Sequence, residues 1–177
     1  MERGTKLMAK KIVMRKIELP LVDLLENKRN IDLLRNEKPF IIPEYIKGNL
    51  KHQLRPYQNQ ALVNLDWTQR QPLADYQYNQ LLFNMATGSG KTDVLAALIL
   101  YLYTEFTYHD FLFVVNADAV VAKTYDNLLN TASHKYLFSQ PLTIHGQRIE
   151  LRSVNWFPST PEDGVINLRL ALLKTLH

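Results

Sequence analysis

The amino-acid sequence predicts an α/β fold in which a parallel sheet is flanked by helices and carries a small β-hairpin insertion. Three observations predict it. Leu81-Leu82-Phe83 is a short apolar run that reads as a buried parallel strand, and it is followed by a glycine turn at Gly88 and Gly90 and a helix from Lys91. Phe111 to Val115 is a second continuous apolar run, with a helical pattern after it to about Leu129. From Leu142 to Val154 the texture changes to alternation around His145-Gly146, as a hairpin with a tight turn requires. Strand, helix, strand, helix in that order means parallel pairing with right-handed crossovers.

Taken in order, the elements follow from local signals. Residues 11–19 have strand character, and Leu21 to Leu34 places Leu21, Leu24, Leu25, Ile31, Leu33 and Leu34 at helical spacing. We expect residues 1–37 to form an N-terminal appendage and residues 38–177 to belong to the main domain. A helix begins near Pro56, because proline suits the first helical turn. Thr68 to Tyr78 is polar, is broken at Gln71-Pro72, and reads as a surface loop leading to the first strand. The helix from Lys91 to about Phe106 is apolar nearly all round (Val94, Leu95, Ala96, Ala97, Leu98, Ile99, Leu100, Leu102), as expected inside an α/β layer. Gly164 opens a further core strand, Val165 to Leu170.

Composition narrows the classes. With 46% hydrophobic and 21% charged residues, the chain of 177 residues is globular rather than disordered. It has no cysteine, which excludes disulfides and thiolate metal sites and fits a cytoplasmic protein. The apolar segment Val94 to Tyr103 is far shorter than the roughly 20 residues of a membrane helix, so no membrane association is expected. The net charge is +4, but Arg3, Lys6, Lys10, Lys11, Arg15 and Lys16 against Glu2 place the whole surplus in the first 17 residues. A basic arm binds phosphate backbones or is a solvated terminus, and composition does not decide between them.

The chemistry concentrates in the turn. Thr87-Gly88-Ser89-Gly90-Lys91-Thr92 lies between an expected strand and an expected helix. In that setting the backbone N–H groups of Gly88, Ser89, Gly90 and Lys91 converge on a phosphate, and the helix dipole adds positive potential. Lys91 then reaches the β- and γ-phosphates, and the Thr92 hydroxyl completes the shell of a Mg²⁺ ion that keeps most of its waters. ATP and Mg²⁺ are the implied cofactors. The strict pattern G-x-x-x-x-G-K-[ST] places a glycine at position 85, where this chain has Met85.

Met85-Ala86-Thr87-Gly88-Ser89-Gly90-Lys91-Thr92 resembles the first motif of superfamily 2 helicases and translocases, and within them the helicase subunit of type III restriction enzymes. Leu54-Arg55-Pro56-Tyr57-Gln58, about thirty residues upstream, resembles the glutamine motif of the same superfamily. The resemblance implies a RecA-like ATP-binding domain, with Gln58 reading adenine through its amide and either Arg55 or Phe40 stacking on the base. Asn116, at the turn after the second strand, falls where motif Ia contacts one nucleic-acid strand; Asn116, Lys123 and Thr124 are the residues it implies. There the chain departs from the family by having Ala117, Asp118 and Ala119, and Asp118 serves equally as a helix cap. After the last strand, Leu172, Leu173 and Lys174 stand where the family tends to a Thr-Ile-Gln-like segment. His145 reads as a turn residue, and no histidine stands at a metal-ligand spacing from another ligand type.

The resemblance runs from about Lys38 to the C-terminus. An Asp-Glu-x-x motif, whose aspartate would hold Mg²⁺ and whose glutamate would position water, does not occur, since the chain contains no Asp-Glu dipeptide. No catalytic residue is therefore assigned. The expectation is an N-terminal piece of an ATP-dependent DNA translocase of the type III restriction class, with DNA and a modification methyltransferase subunit as partners. Its unfinished sheet should leave a partly exposed edge. The alternative is a non-hydrolysing nucleotide-binding or interaction module, and a small-molecule kinase is disfavoured by Met85 and Gln58.

Overall fold

The computed structural model describes residues 40–70 and 81–175, together with the single positions 23, 25 and 27. The strand expected over 11–19 lies outside the described residues, as does nearly all of the helix expected over 21–34. The elements below all belong to the unit Phe40–His177.

A short helix, α1 (Glu44–Lys47), leads to α2 (Pro56–Arg70), and α3 (Lys91–Phe106) follows the glycine turn. Strand β1 (Asp110–Val115) feeds α4 (Asp118–Leu128); a hairpin of β2 (Thr143–Ile144) and β3 (Gln147–Arg148) precedes β4 (Glu150–Ser153) and β5 (Val165–Leu172). A single 3₁₀ turn, Leu173–Thr175, comes after β5. The main sheet has the order β1-β5-β4 and is wholly parallel. The register pairs Phe111 with Leu168 and Phe113 with Leu170, and on the other side Leu151 with Ile166. The fold is thus α/β with a parallel three-stranded sheet and flanking helices, a partial RecA-like domain as the sequence predicts.

Physical causes for these elements are visible in place. α2 starts on Pro56, and the Gln58 side chain reaches back to accept a hydrogen bond of 2.7 Å from the Arg55 N–H, half of a capping box. α3 buries Val94, Ala96, Ala97, Ile99, Leu100 and Tyr101, and ends where Thr107 turns left-handed at φ 56°. β5 is central, so its first four residues are all buried. The hairpin turns on His145 (φ 51°) and Gly146 (φ 82°), the two successive positive values that a type I′ turn demands. The core joins Ile46, Leu62, Ile99, Leu100, Leu128, Phe138, Ile166 and Leu168, each essentially sealed from solvent. Such burial contributes about 1.5–3 kcal/mol per large aliphatic side chain. Asn49 ties α1 to the hairpin: it donates to the carbonyls of Tyr45 and Thr143 and accepts from the Thr143 N–H.

Four of the sequence expectations need correction. Leu81–Phe83 does not form a strand: these residues find no ladder partner among the described residues, and Leu82 is 93% exposed. A parallel strand exists only through its neighbours' hydrogen bonds, and apolar composition alone does not supply them. β1, expected to be buried, is an edge strand with alternating exposure, and Leu112 and Val114 remain more than 40% exposed. The hairpin arms are two residues each; Glu150–Ser153 leaves the hairpin and joins the main sheet. Thr68–Arg70 is still helix, because Thr68 Oγ1 donates to the Leu65 carbonyl and Arg70 pairs with Asp66 one turn back.

A polar network clamps the first three helices together. Arg70 bonds Asp66 and Glu105, each at 2.5 Å; Tyr101 donates to Asp66, and Tyr45 donates to Glu105 at 2.9 Å. Burial, then the neighbouring carboxylate, pushes both tyrosine hydroxyls well above the ordinary phenol range. A group whose folded pKa is raised keeps its stabilising contribution below the unfolded value of 10.0 and loses it as pH rises beyond that. Thermal midpoints should therefore hold up to about pH 10 and fall above it. In Tyr101→Phe the alkaline fall should be shallower, which a pH series of thermal melts reads directly; an equally steep fall would remove Tyr101 from the network's titration.

Two tryptophans occupy contrasting settings. Trp67 in α2 is partly buried with its Nε1 sealed from solvent and without a hydrogen-bond partner among the described residues, whereas Trp156 is 77% exposed with the Arg169 guanidinium 4.5 Å from its ring centroid.

Candidate functional site

The site is the glycine turn and the start of α3, backed by the N-terminus of α2. Gly88 and Gly90 both have φ 77°, which bends the chain into a concave turn. A Cβ at Gly88 would meet nothing within 4 Å, so space is open on that side. A Cβ at Gly90 would lie 2.4 Å from Gln58 Nε2 and 2.7 Å from Asp93 Oδ2, so any other residue would have to displace both groups. Ser89 closes the turn by donating through Oγ and N–H to the Ala86 carbonyl, at 2.7 and 3.3 Å.

What remains free is as informative. Gly90 is the N-cap and provides no side-chain cap, and the N–H groups of Gly88, Gly90, Lys91 and Thr92 meet no acceptor among the described residues. These are donors at the positive end of a 16-residue helix dipole. Lys91 is exposed and folds back over the loop, its Nζ donating to the carbonyls of Met85 (2.7 Å) and Ala86 (2.6 Å). Thr92 is partly buried, and its hydroxyl has no partner among the described residues. Thr87 is exposed at the lip of the turn.

Gln58, Arg55 and the loop come together, although some thirty residues separate them. Gln58 is 4% exposed; its Nε2 donates to the carbonyls of Ser89 (3.0 Å) and Gly90 (3.1 Å). Arg55 is exposed and donates through Nη1 to the Tyr57 hydroxyl at 3.0 Å, and that hydroxyl donates to Ser89 O at 2.8 Å. Phe40, the other candidate stacking ring, packs edge-on against Tyr101 in the core.

Three residues of the site carried no sequence signal. Tyr57 touches the loop directly, and Asp93, in the first turn of α3, receives His52 at 2.9 Å. Each contact spans thirty or more positions, so nothing local marks it. The exposed His52 ring meets the partly buried Asp93 carboxylate in a hydrogen bond, so the carboxylate does not stand alone beside the N-terminal end of α3.

The second set of residues lies elsewhere, at the C-terminal end of β1. Asn116 and Lys123 are exposed, and Thr124 donates to the Val120 carbonyl one turn back. Asp118 does not cap α4: Ala117 is the N-cap without a side-chain bond, and Asp118 is the first helical residue, 3.7 Å from Lys174. Its carboxylate still complements the helix dipole, and Lys174 offsets its charge.

Comparison with known proteins finds a matching family and a curated relative. Residues 51–157 match the family described as "Type III restriction enzyme, res subunit". A curated protein from Haemophilus influenzae (strain ATCC 51907 / DSM 11121 / KW20 / Rd), the "Probable type III restriction-modification enzyme HindVIP Res subunit", is 34% identical over 164 residues. That alignment covers 89% of this chain and 31% of the relative, so the chain spans about a third of the relative's length. No solved structure matches. The family match spans more than half of the chain and includes Arg55, Gln58 and the whole glycine turn, and the chain therefore belongs to the type III restriction enzyme Res subunit family.

Proposed function

We propose that residues 38–177 form the ATP-binding part of the first motor domain of an ATP-dependent DNA translocase that acts in restriction and modification. The observation that supports this best is the set of N–H groups at Gly88, Gly90, Lys91 and Thr92 that meet no acceptor among the described residues, clustered at the start of one helix, with the Lys91 ammonium folded back onto the loop. Four such donors and an ammonium suit a polyphosphate. In this reading Thr87 to Thr92 hold the phosphates, Lys91 exchanges its two carbonyl partners for β- and γ-phosphate oxygens, and Arg55 and Gln58, whose side chains bond to Tyr57 and to the loop carbonyls, brace the loop from the α2 side.

The donors present fit Mg²⁺, a hard cation that takes oxygen ligands and retains water: the Thr92 hydroxyl has no partner among the described residues. When bound, the ion would neutralise phosphate charge; the protein's own contribution is to orient the polyphosphate and shield its oxygens. Asn116, Lys123 and Thr124 are the residues we assign to a nucleic-acid backbone, and a modification methyltransferase subunit is the protein partner we propose. No helix among the described residues is long and apolar enough to cross a membrane. We place the protein in the cytoplasm.

The chain contains no Asp-Glu dipeptide to position an attacking water, which favours, as a second reading, a module that binds nucleotide without hydrolysing it. One experiment separates the two. Mg²⁺-dependent titration with a fluorescent ATP analogue should show saturable binding, while phosphate release followed in parallel should show no motor-rate turnover by this chain. Robust release would mean that the chain positions water without that motif. A folded chain that binds no nucleotide would end the ATP reading.

A further inference from the structure

The N–H groups of Gly90 and Lys91 can face a phosphate only if their peptide units are turned the right way, and the carbonyl at the other end of each unit controls that. In a planar trans peptide the C=O and the following N–H point in opposite directions. Ser89 O is held from the α2 side by Tyr57 Oη at 2.8 Å and Gln58 Nε2 at 3.0 Å, so the Gly90 N–H points away from α2. Gly90 O is held by Gln58 Nε2 and by the Asp93 N–H, both at 3.1 Å, and this turns the Lys91 N–H away as well.

Tyr57 differs from Gln58 in how it is anchored. Gln58 is buried and also caps α2, whereas Tyr57 is 45% exposed and its hydroxyl has two partners, Ser89 O as acceptor and Arg55 Nη1 as donor. A hydroxyl that accepts from a guanidinium is polarised and becomes a better donor. We infer that Tyr57, braced by Arg55, is a positioning residue of the phosphate loop: its hydroxyl fixes the Ser89–Gly90 peptide so that Gly90 N–H faces the polyphosphate, whatever base is attached. The inference rests on the nucleoside-triphosphate reading above. It assigns Arg55 a role through Tyr57 rather than through base stacking.

The test uses the full chain as wild type, Tyr57→Phe, Tyr57→Ala, Arg55→Ala and the double variant Arg55→Ala/Tyr57→Phe. Each is titrated with ATP, GTP and inorganic tripolyphosphate in the presence of Mg²⁺. Tyr57→Phe should weaken all three ligands by the same factor, about threefold to tenfold for one lost hydrogen bond, with its thermal midpoint unchanged. Arg55→Ala should weaken all three less, and the double variant should match Tyr57→Phe, because Arg55 acts through the hydroxyl. Wild-type affinity in Tyr57→Phe would overturn the inference. So would a loss in Tyr57→Ala confined to ATP and GTP, which would make the ring a base platform, or additive effects in the double variant. If wild type, shown folded by a cooperative thermal transition, binds none of the three, the nucleotide reading itself fails and takes this inference with it.

Discussion

In Lys91→Ala the affinity for Mg·ATP falls about 100-fold while the thermal midpoint stays near that of wild type. The binding loss follows from the chemistry of the contact. A hydrogen bond to an ionised group contributes about 1.5–3 kcal/mol, and a lysine over a polyphosphate makes more than one. The small stability effect follows from exposure. Lys91 is a surface side chain whose ammonium rests on two loop carbonyls, Met85 O and Ala86 O, which water can solvate once the side chain is gone. Isothermal titration and thermal melts on the same preparation separate the two quantities. Equal affinity in the variant and wild type would remove Lys91 from the phosphate site, whatever the loop resembles.

Gly90→Ala should be more damaging than Gly88→Ala, although the two glycines share the same φ of 77°. An L-residue held in the left-handed region costs about 1–2 kcal/mol, and both variants bear that cost. Only at position 90 does the new methyl meet protein: it would sit 2.4 Å from Gln58 Nε2 and 2.7 Å from Asp93 Oδ2, while at position 88 it meets nothing within 4 Å. To admit it, Gln58 Nε2 must shift from its bonds to Ser89 O and Gly90 O, which loosens the peptide units that carry the Gly90 and Lys91 N–H groups. We expect Gly90→Ala to lose about 2–4 kcal/mol of unfolding free energy and all measurable Mg·ATP binding. Gly88→Ala should lose about half as much stability and keep detectable affinity. Denaturant titrations paired with binding isotherms check both halves, and equal losses at the two positions would show that contact with Gln58 does not govern the loop.

How far the sequence could be read depends on how local the cause of each feature is. The limits of α3 were legible, because the glycine turn marks its start and the apolar pattern runs through Leu102, one turn short of its end at Phe106. Pro56 marked the start of α2, and His145-Gly146 marked the hairpin turn. The loop and Gln58 were legible as a motif and its spacing. Features that depend on a neighbour were not. Whether Leu81–Phe83 pairs, whether β1 lies at the centre or the edge, and that Glu150–Ser153 leaves the hairpin for β5 are all decided by ladders between distant segments. In the site, Tyr57 looks in sequence like any early-helix aromatic, and His52 and Asp93 like two solvated side chains. Their meaning arises where α2, α3 and the segment before them converge.

The contrasting environments of Trp67 and Trp156 give the protein two optical windows on itself. Trp67, partly buried with its Nε1 sealed from solvent, belongs to the same helix whose first turn grips the glycine turn, so its emission should report on the packing of α2 against its neighbours. Trp156 is exposed with a guanidinium on its face, and its signal should report on the middle of β5, where Arg169 lies. Replacing either one by phenylalanine leaves a chain with a single reporter. Ligand-induced changes at the loop can then be told apart, in unlabelled protein, from events beside Arg169 in β5.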